Sequence, residues 1–198
     1  MKLRDIGVDL EQDHDSDGFL GVNLECDEET GLLDMKQPGL IDCVINTVEL
    51  DYGMAKGKYT PDRSLPLVNN EDGVPVSGSF KYSSIVGILL YLSGNTRPNI
   101  VFAVNCYARY LFLPKHSHEE ALKRINWYLK LNRDSGLTLN ANREIFNIDS
   151  YNYSYFSIMY VHENPTDTDC VKSLTGYVIT FSDFPILCQS NLQTELSL

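Results

Sequence analysis

The apolar positions of this chain change their period along its length, and each change predicts a different element. Between residues 19 and 36, FLGVNLEC and LLDMK flank Glu28-Glu29-Thr30-Gly31. That pattern predicts strands over 19–26 and 32–36 joined by a turn. Leu40, Ile41, Val44, Ile45 and Val48 then recur at helical spacing and place one apolar face on a helix. Residues 52–79 are rich in Gly, Pro, Asp and Ser and show no period. They predict a long connection laid over a surface, and the main internal boundary of the chain.

Residues 80–133 read as three helices. Ile85, Val86, Leu89, Leu90 and Leu92 make the first apolar nearly all round, which predicts a buried helix. The second opens at Arg97-Pro98, with proline suited to a first turn, and carries Ile100, Val104, Tyr107, Ala108 and Leu111 down one face. The third starts with a capping box at Ser117-His118-Glu119-Glu120 and has Ala121, Leu122, Ile125 and Leu129 as its core face. Beyond it, strands are predicted over 144–155, 176–181 and 185–189, the last two flanking a Ser182-Asp183-Phe184 turn. The fold class is α+β.

On the third helix, Lys123, Trp127 and Lys130 stand at i, i+4 and i+7, so they form one stripe away from the core face. A flat aromatic between two ammonium groups suits stacking on a base or sugar beside a phosphate. The competing reading packs Trp127 against a neighbouring element and leaves the lysines solvated. Charge distribution bears on the choice. Residues 1–51 hold 14 acidic and 3 basic side chains, and the remaining 147 residues are balanced. Residues 81–133 carry a net charge of +6. Such a block is either a nucleic-acid footprint or a set of solvated helix faces. The acidic segment would repel a phosphate backbone unless it lies well away.

Other chemistry is thinly supported. No apolar run approaches the roughly 18–20 residues needed to span a bilayer, and residues 1–13 lack the apolar centre of a secretory signal. The five cysteines are widely spaced without a C-x-x-C pair, which predicts buried reduced thiols in an intracellular protein. Asp13-His14-Asp15-Ser16-Asp17-Gly18 fits the first half of a calcium loop. The twelfth position, however, is Leu24, and Glu25 stands one residue late. Gly53-Met-Ala-Lys-Gly57-Lys58-Tyr59 narrowly misses a phosphate loop, with three residues between the glycines and Tyr where Ser or Thr belongs. His116 and His118 sit two apart without a third ligand at metal spacing. No nucleophile elbow is present.

Several phrases resemble copia-type retrotransposon polyproteins at the junction of reverse transcriptase and ribonuclease H. They are Leu-Leu-Tyr-Leu at 89–92, Thr-Arg-Pro-Asn-Ile at 96–100, Phe-Ala-Val-Asn at 102–105, Ala-Leu-Lys-Arg-Ile at 121–125 and Tyr-Leu-Lys at 128–130. CVKSLTGYVITF at 170–181, PIL at 185–187 and SNLQTEL at 190–196 resemble the family's ribonuclease H opening. The resemblance divides the chain into a palm-end remnant (1–51), a connecting loop (52–79), thumb and connection helices (80–140) and truncated ribonuclease H-like strands (144–198).

It also implies that chemistry is missing. Counting back from residue 170 aligns Asn152-Tyr153-Ser154-Tyr155 with the family's first catalytic motif, so Tyr153 and Tyr155 occupy two Asp positions. Two-metal hydrolysis needs carboxylates on Mg²⁺, the metal of the complete family enzyme, and a phenol that ionises only near pH ~10 is no substitute. The family's next carboxylate would follow Leu198, and its Tyr-Val-Asp-Asp polymerase turn would precede Met1. The resemblance thus implies a catalytically incomplete piece of an RNA-directed DNA polymerase/ribonuclease H, with no cofactor of its own. Its partners would be the remaining polyprotein segments and an RNA–DNA or DNA duplex, held weakly through Lys123, Arg124, Trp127 and Lys130. The alternative is a retained interaction or structural module, calcium-binding if the 13–18 loop is real.

Overall fold

A computed structural model describes residues 20–48, 58–62, 67, 73–76, 78–140, 147–155 and 172–193. The 13–18 and 53–57 loops and Cys170 lie outside the described residues. The elements run β1 (Asn23–Asp27), β2 (Leu32–Lys36), α1 (Pro38–Thr47), α2 (Tyr82–Asn95), a 3-10 turn (Pro98–Ile100), α3 (Val101–Ala108) and α4 (His116–Leu131). Then follow β3 (Leu137–Asn140), β4 (Ile148–Tyr155), β5 (Leu174–Phe181) and β6 (Phe184–Leu192). Two three-stranded antiparallel sheets result, ordered β1-β2-β3 and β4-β5-β6.

The helices share one core. Ile41 and Val44 of α1, Ile85, Leu89 and Leu92 of α2, and Val104 and Tyr107 of α3 are fully buried. They meet Ala121, Leu122, Ile125 and Leu129 of α4, the four residues predicted as its core face. Each large apolar side chain removed from water in this way contributes about 1.5–3 kcal/mol. Described parts of the connection between α1 and α2 touch this bundle: Tyr110 Oη donates to Leu67 O at 2.7 Å. Val76 N donates to Pro114 O and His116 N to Val74 O, pinning 74–76 beside the entry to α4.

Several expectations need correction. β1 begins at Asn23 because Leu20 and Gly21 adopt positive φ, 52° and 74°, and form a turn. β3, which the sequence pattern left in the tail of the helical segment, pairs with β2 from Leu32↔Asn140 to Met35↔Leu137. α2 is buried on one side only; Ser83, Ser84, Gly87, Leu90, Tyr91 and Gly94 are exposed. α3 stops at Ala108, so Leu111 leaves the helix and forms an exposed apolar loop with Phe112, which is 90% exposed, and Leu113. The hairpin between β5 and β6 turns on two residues, Ser182 and Asp183, at φ 50° and 68°. Paired positive φ values are the geometry that matches strand twist in a two-residue loop. Phe184 therefore belongs to β6.

The cap of α4 also differs. Its N-cap is Lys115, extended at φ −113° and ψ 166°, and Lys115 N donates to His118 Nδ1 at 3.0 Å. Lys115 O accepts from His118 N and Glu119 N. Tertiary packing selected this frame, since His118 is buried and stacked on Tyr110 at 4.0 Å between ring centroids.

Arg97 closes the other end. Its guanidinium is 2% exposed and donates from Nη1 to Asn132 O at 2.6 Å and Ser135 O at 3.1 Å, capping carbonyls just beyond α4. It also lies 5.9 Å from the Tyr128 ring centroid. Burial pulls its pKa down, and Tyr128 partly offsets that. Next to it, Thr96 Oγ1 donates to Gln37 Oε1 at 2.8 Å and ties the end of α2 to the start of α1.

Hydrogen bonds from a buried charged group contribute about 1.5–3 kcal/mol each. Arg97→Ala is therefore expected to lower unfolding free energy by at least about 3 kcal/mol in urea titration, since the carbonyls lose their donor. Arg97→Lys should recover little, because one ammonium cannot reproduce the planar fork. A second comparison uses glycines. A Cβ on Gly136 would stand 2.1 Å from Met35 O, whereas one on Gly87 meets nothing. Gly136→Ala should destabilise the β2–β3 pairing, while Gly87→Ala should raise stability by about 0.5–1 kcal/mol. Thermal melts of the two variants check both signs.

Candidate nucleic-acid interface

The outward side of α4 carries the four residues predicted to touch nucleic acid, and the structure gives each a protein neighbour. Lys123 Nζ lies 2.7 Å from Glu119 Oε1 and 3.0 Å from Glu120 Oε1, and 5.9 Å from the Phe80 ring centroid. Desolvation lowers its pKa, but the two carboxylates outweigh that and the net shift is upward. Arg124 turns toward the connecting segment, where Nε donates to Asp62 O and Nη2 to Thr60 Oγ1, both at 2.7 Å. Tyr107 Oη donates to Asp62 Oδ1 at 2.9 Å, so residues 60–62 are clipped to the bundle from two sides.

Trp127 is half-buried and packs against the helical core. Lys130 Nζ sits 4.8 Å from its ring centroid, a cation–π arrangement. The stripe is thus real as a surface feature, with Trp127 both packed and topped by an ammonium. The largely exposed Lys123–Glu120 pair contributes little, whereas Lys123–Glu119 involves a buried carboxylate. The bonds of Arg124 hold a chain segment in place.

Further along, Arg133 grips Asp42 with two parallel bonds, Nε to Oδ1 at 2.7 Å and Nη2 to Oδ2 at 2.5 Å. The hydrogen bonds from Arg133 hold the Asp42 carboxyl below its usual range, and Asp42 in turn raises Arg133. This pair fastens α1 to the end of α4. Of the basic residues between 81 and 133, Arg97, Arg124 and Arg133 therefore serve the fold.

Tyr153 and Tyr155 lie on β4. Tyr153 pairs with Gly176 and Tyr155 with Leu174 in the register with β5. The Tyr153 ring lies over Gly176, where a Cβ would come within 2.2 Å of it, and its Oη donates to Ser190 Oγ at 3.2 Å. Ser190 and Leu174 are buried where β5 and β6 face α3. Tyr153 also borders a cavity of about 320 Å³ between the α3 entry (Pro98, Val101, Phe102) and the sheet (Val178, Pro185, Cys188). Its apolar walls offer no set of anionic ligands among the described residues.

Metal-type ligands gather elsewhere. The sequence paired His116 with His118, but His118 points into the core, and the structure sets Glu119 and Glu120 beside His116 instead. A histidine three residues before a glutamate on one helix was the legible signal. The thiols also depart from expectation: Cys26 and Cys43 are exposed, and Cys106 alone of the described cysteines is fully buried, its thiol pushed up to about 12 by desolvation.

The described residues form an α+β arrangement of four α-helices and two antiparallel three-stranded sheets. No helix among the described residues is long and apolar enough to cross a membrane. The chain is distantly homologous to copia-type retrotransposon Pol polyproteins. It is 30% identical over 139 residues to a retrovirus-related Pol polyprotein from transposon RE2 of Arabidopsis thaliana, covering 70% of this chain and 9% of that one. With the RE1 polyprotein of the same plant it shares 28% over 175 residues, 88% of this chain and 11% of the relative. With the Pol polyprotein from transposon TNT 1-94 of Nicotiana tabacum it shares 36% over 117 residues, 59% and 8%. The chain thus spans about a tenth of the length of these relatives. No family model matches it, and no solved structure matches significantly.

Arg124→Gln should free residues 58–62 and cost about 1–3 kcal/mol, through loss of two charge-assisted bonds. Lys130→Gln, which removes a surface cation–π contact, should change stability by less than about 1 kcal/mol. Hydrogen exchange at residues 60–62 together with urea unfolding separates the two.

Proposed function

We propose that this chain corresponds to the end of the reverse transcriptase and the opening of the ribonuclease H region of a copia-type Pol polyprotein, and that it is catalytically inert by itself. The observation that carries the reading is the ordered run of family-like phrases at 89–130 and 170–196, within a chain homologous to Pol polyproteins over 59–88% of its length. The antiparallel meander β4-β5-β6 supports it, since it sets Tyr153 and Tyr155 on the strand that the resemblance assigns to the catalytic aspartates. Without carboxylates there, Mg²⁺ has no anionic ligands and water is not activated for phosphodiester cleavage. The 198 residues also contain no Tyr-Val-Asp-Asp turn.

What remains is duplex binding of a weak, sequence-independent kind, with other segments of the polyprotein as the natural partners. Lys123, Trp127 and Lys130 present the contact face, whereas Arg124 contributes by holding the neighbouring segment. Affinity in the non-specific range of roughly 10⁻⁴–10⁻⁶ M at physiological salt is expected.

The purified chain should neither extend a primer nor degrade an RNA–DNA hybrid with Mg²⁺ or Mn²⁺. Hybrid cleavage abolished by EDTA would refute the assignment of Tyr153 and Tyr155. Titration of a labelled duplex at two salt concentrations tests the contact face. Replacing Lys123 and Lys130 together by Gln should reduce the salt slope by about one unit per lost phosphate contact. A slope unchanged by the pair would place both lysines outside the footprint.

A further inference from the structure

We propose that the first turn of α4 binds a late first-row divalent cation of the Zn²⁺ type, through His116 Nδ1, Glu119 Oε2 and a carboxylate oxygen of Glu120. One ligand atom from each of these three residues lies within 4.8 Å of the others, the single such grouping among the described residues. Proximity alone would describe any charged helix start. The second observation is Glu119 itself. It is 7% exposed, and its Oε2 is buried without a hydrogen-bond partner. A buried carboxylate oxygen is costly unless something positive or hydrogen-bearing meets it. Oε2 faces His116 Nδ1 at 3.6 Å, too far for a hydrogen bond.

The surroundings hold this arrangement in place. Lys123 takes Glu119 Oε1 at 2.7 Å and Glu120 Oε1 at 3.0 Å, which fixes both carboxylates and leaves Glu119 Oε2 turned toward His116. Such outer partners commonly orient metal ligands. The backbone of His116 is anchored as well, since its N–H donates to Val74 O at 2.8 Å beside the Pro75–Lys115 bridge. His118 takes no part, because Lys115 N occupies its Nδ1.

One imidazole and two carboxylates form a donor set suited to Zn²⁺, with room for water in the remaining position. Ca²⁺ would need six to eight oxygens, which three side chains do not supply. Bonds of roughly 2.0–2.2 Å set tetrahedral ligand atoms about 3.4 Å apart. The exposed side chains of His116 and Glu120 therefore have to close by about 1.5 Å at most, while Glu119 stays in place. The ammonium of Lys123 and the positive end of the α4 dipole both oppose a cation. Micromolar rather than nanomolar affinity follows.

The probe is Zn²⁺ alone, titrated calorimetrically into the full chain. Exposed thiols also bind zinc, so Cys26 and Cys43 are first alkylated under native conditions. One Zn²⁺ per chain is expected. His116→Ala should weaken it at least about tenfold and Glu120→Gln several-fold, both being exposed substitutions whose fold is checked by circular dichroism. Absence of zinc binding in the alkylated chain, or binding unaltered by both His116→Ala and Glu120→Gln, would overturn the proposal.

Discussion

The buried guanidinium of Arg97 is the constraint on which the helical layer depends. It leaves the end of α2 and reaches the carbonyls of Asn132 and Ser135, so it fixes where α4 ends and where β3 begins. Removing a charge from water is costly, and several directed bonds must offset it. Those bonds exist only when α2, the 3-10 turn and α4 are all in position. The same neighbourhood joins Thr96 to Gln37, so the first helix is registered against the second by a buried polar contact. Apolar packing supplies most of the driving force, but it is non-directional. The polar clamps select one arrangement among the many that would bury the same leucines.

A consequence is that positive charge in this protein has two uses that the sequence does not distinguish. Arg97, Arg124 and Arg133 each make several directed bonds to carbonyls, hydroxyls or carboxylates. Lys123 pairs with the carboxylates of Glu119 and Glu120, and Lys130 tops the Trp127 ring. The division follows side-chain chemistry. A planar fork with five donors suits fixed multi-point bonding, and a flexible ammonium suits exchangeable contact. A polyanion meeting this face would therefore meet mostly lysine, on a helix whose one arginine, Arg124, already bonds residues 60–62.

On β4, the ring of Tyr153 covers Gly176 and its hydroxyl reaches Ser190. A side chain of this size and polarity is accommodated by the glycine opposite and by the cavity beside α3. The strand position thus performs a packing role. The apolar loop Leu111-Phe112-Leu113 stands in contrast, since nothing among the described residues covers it.

Periodicity in the chain determined most of the elements. The helical spacing in α1 and the core face of α4 were legible residue by residue, because burying one face of a 3.6-residue repeat requires apolar side chains at those steps and no others. The strand β2 and the β5–β6 hairpin were legible for the corresponding reason at period two. What the pattern missed were features set by distant neighbours. β3 is four residues long, too short to show a period, and exists because β2 offers an edge. α2 looked apolar all round, yet only the partners actually present decide which side is covered. The frame of the α4 cap was chosen by His118 stacking on Tyr110, a contact across sequence that Ser117-to-Glu120 spacing does not register. The candidate cation site was hidden for the same reason: a sequence shows His116 near Glu119, but only tertiary packing buries the glutamate and leaves one of its oxygens without a partner.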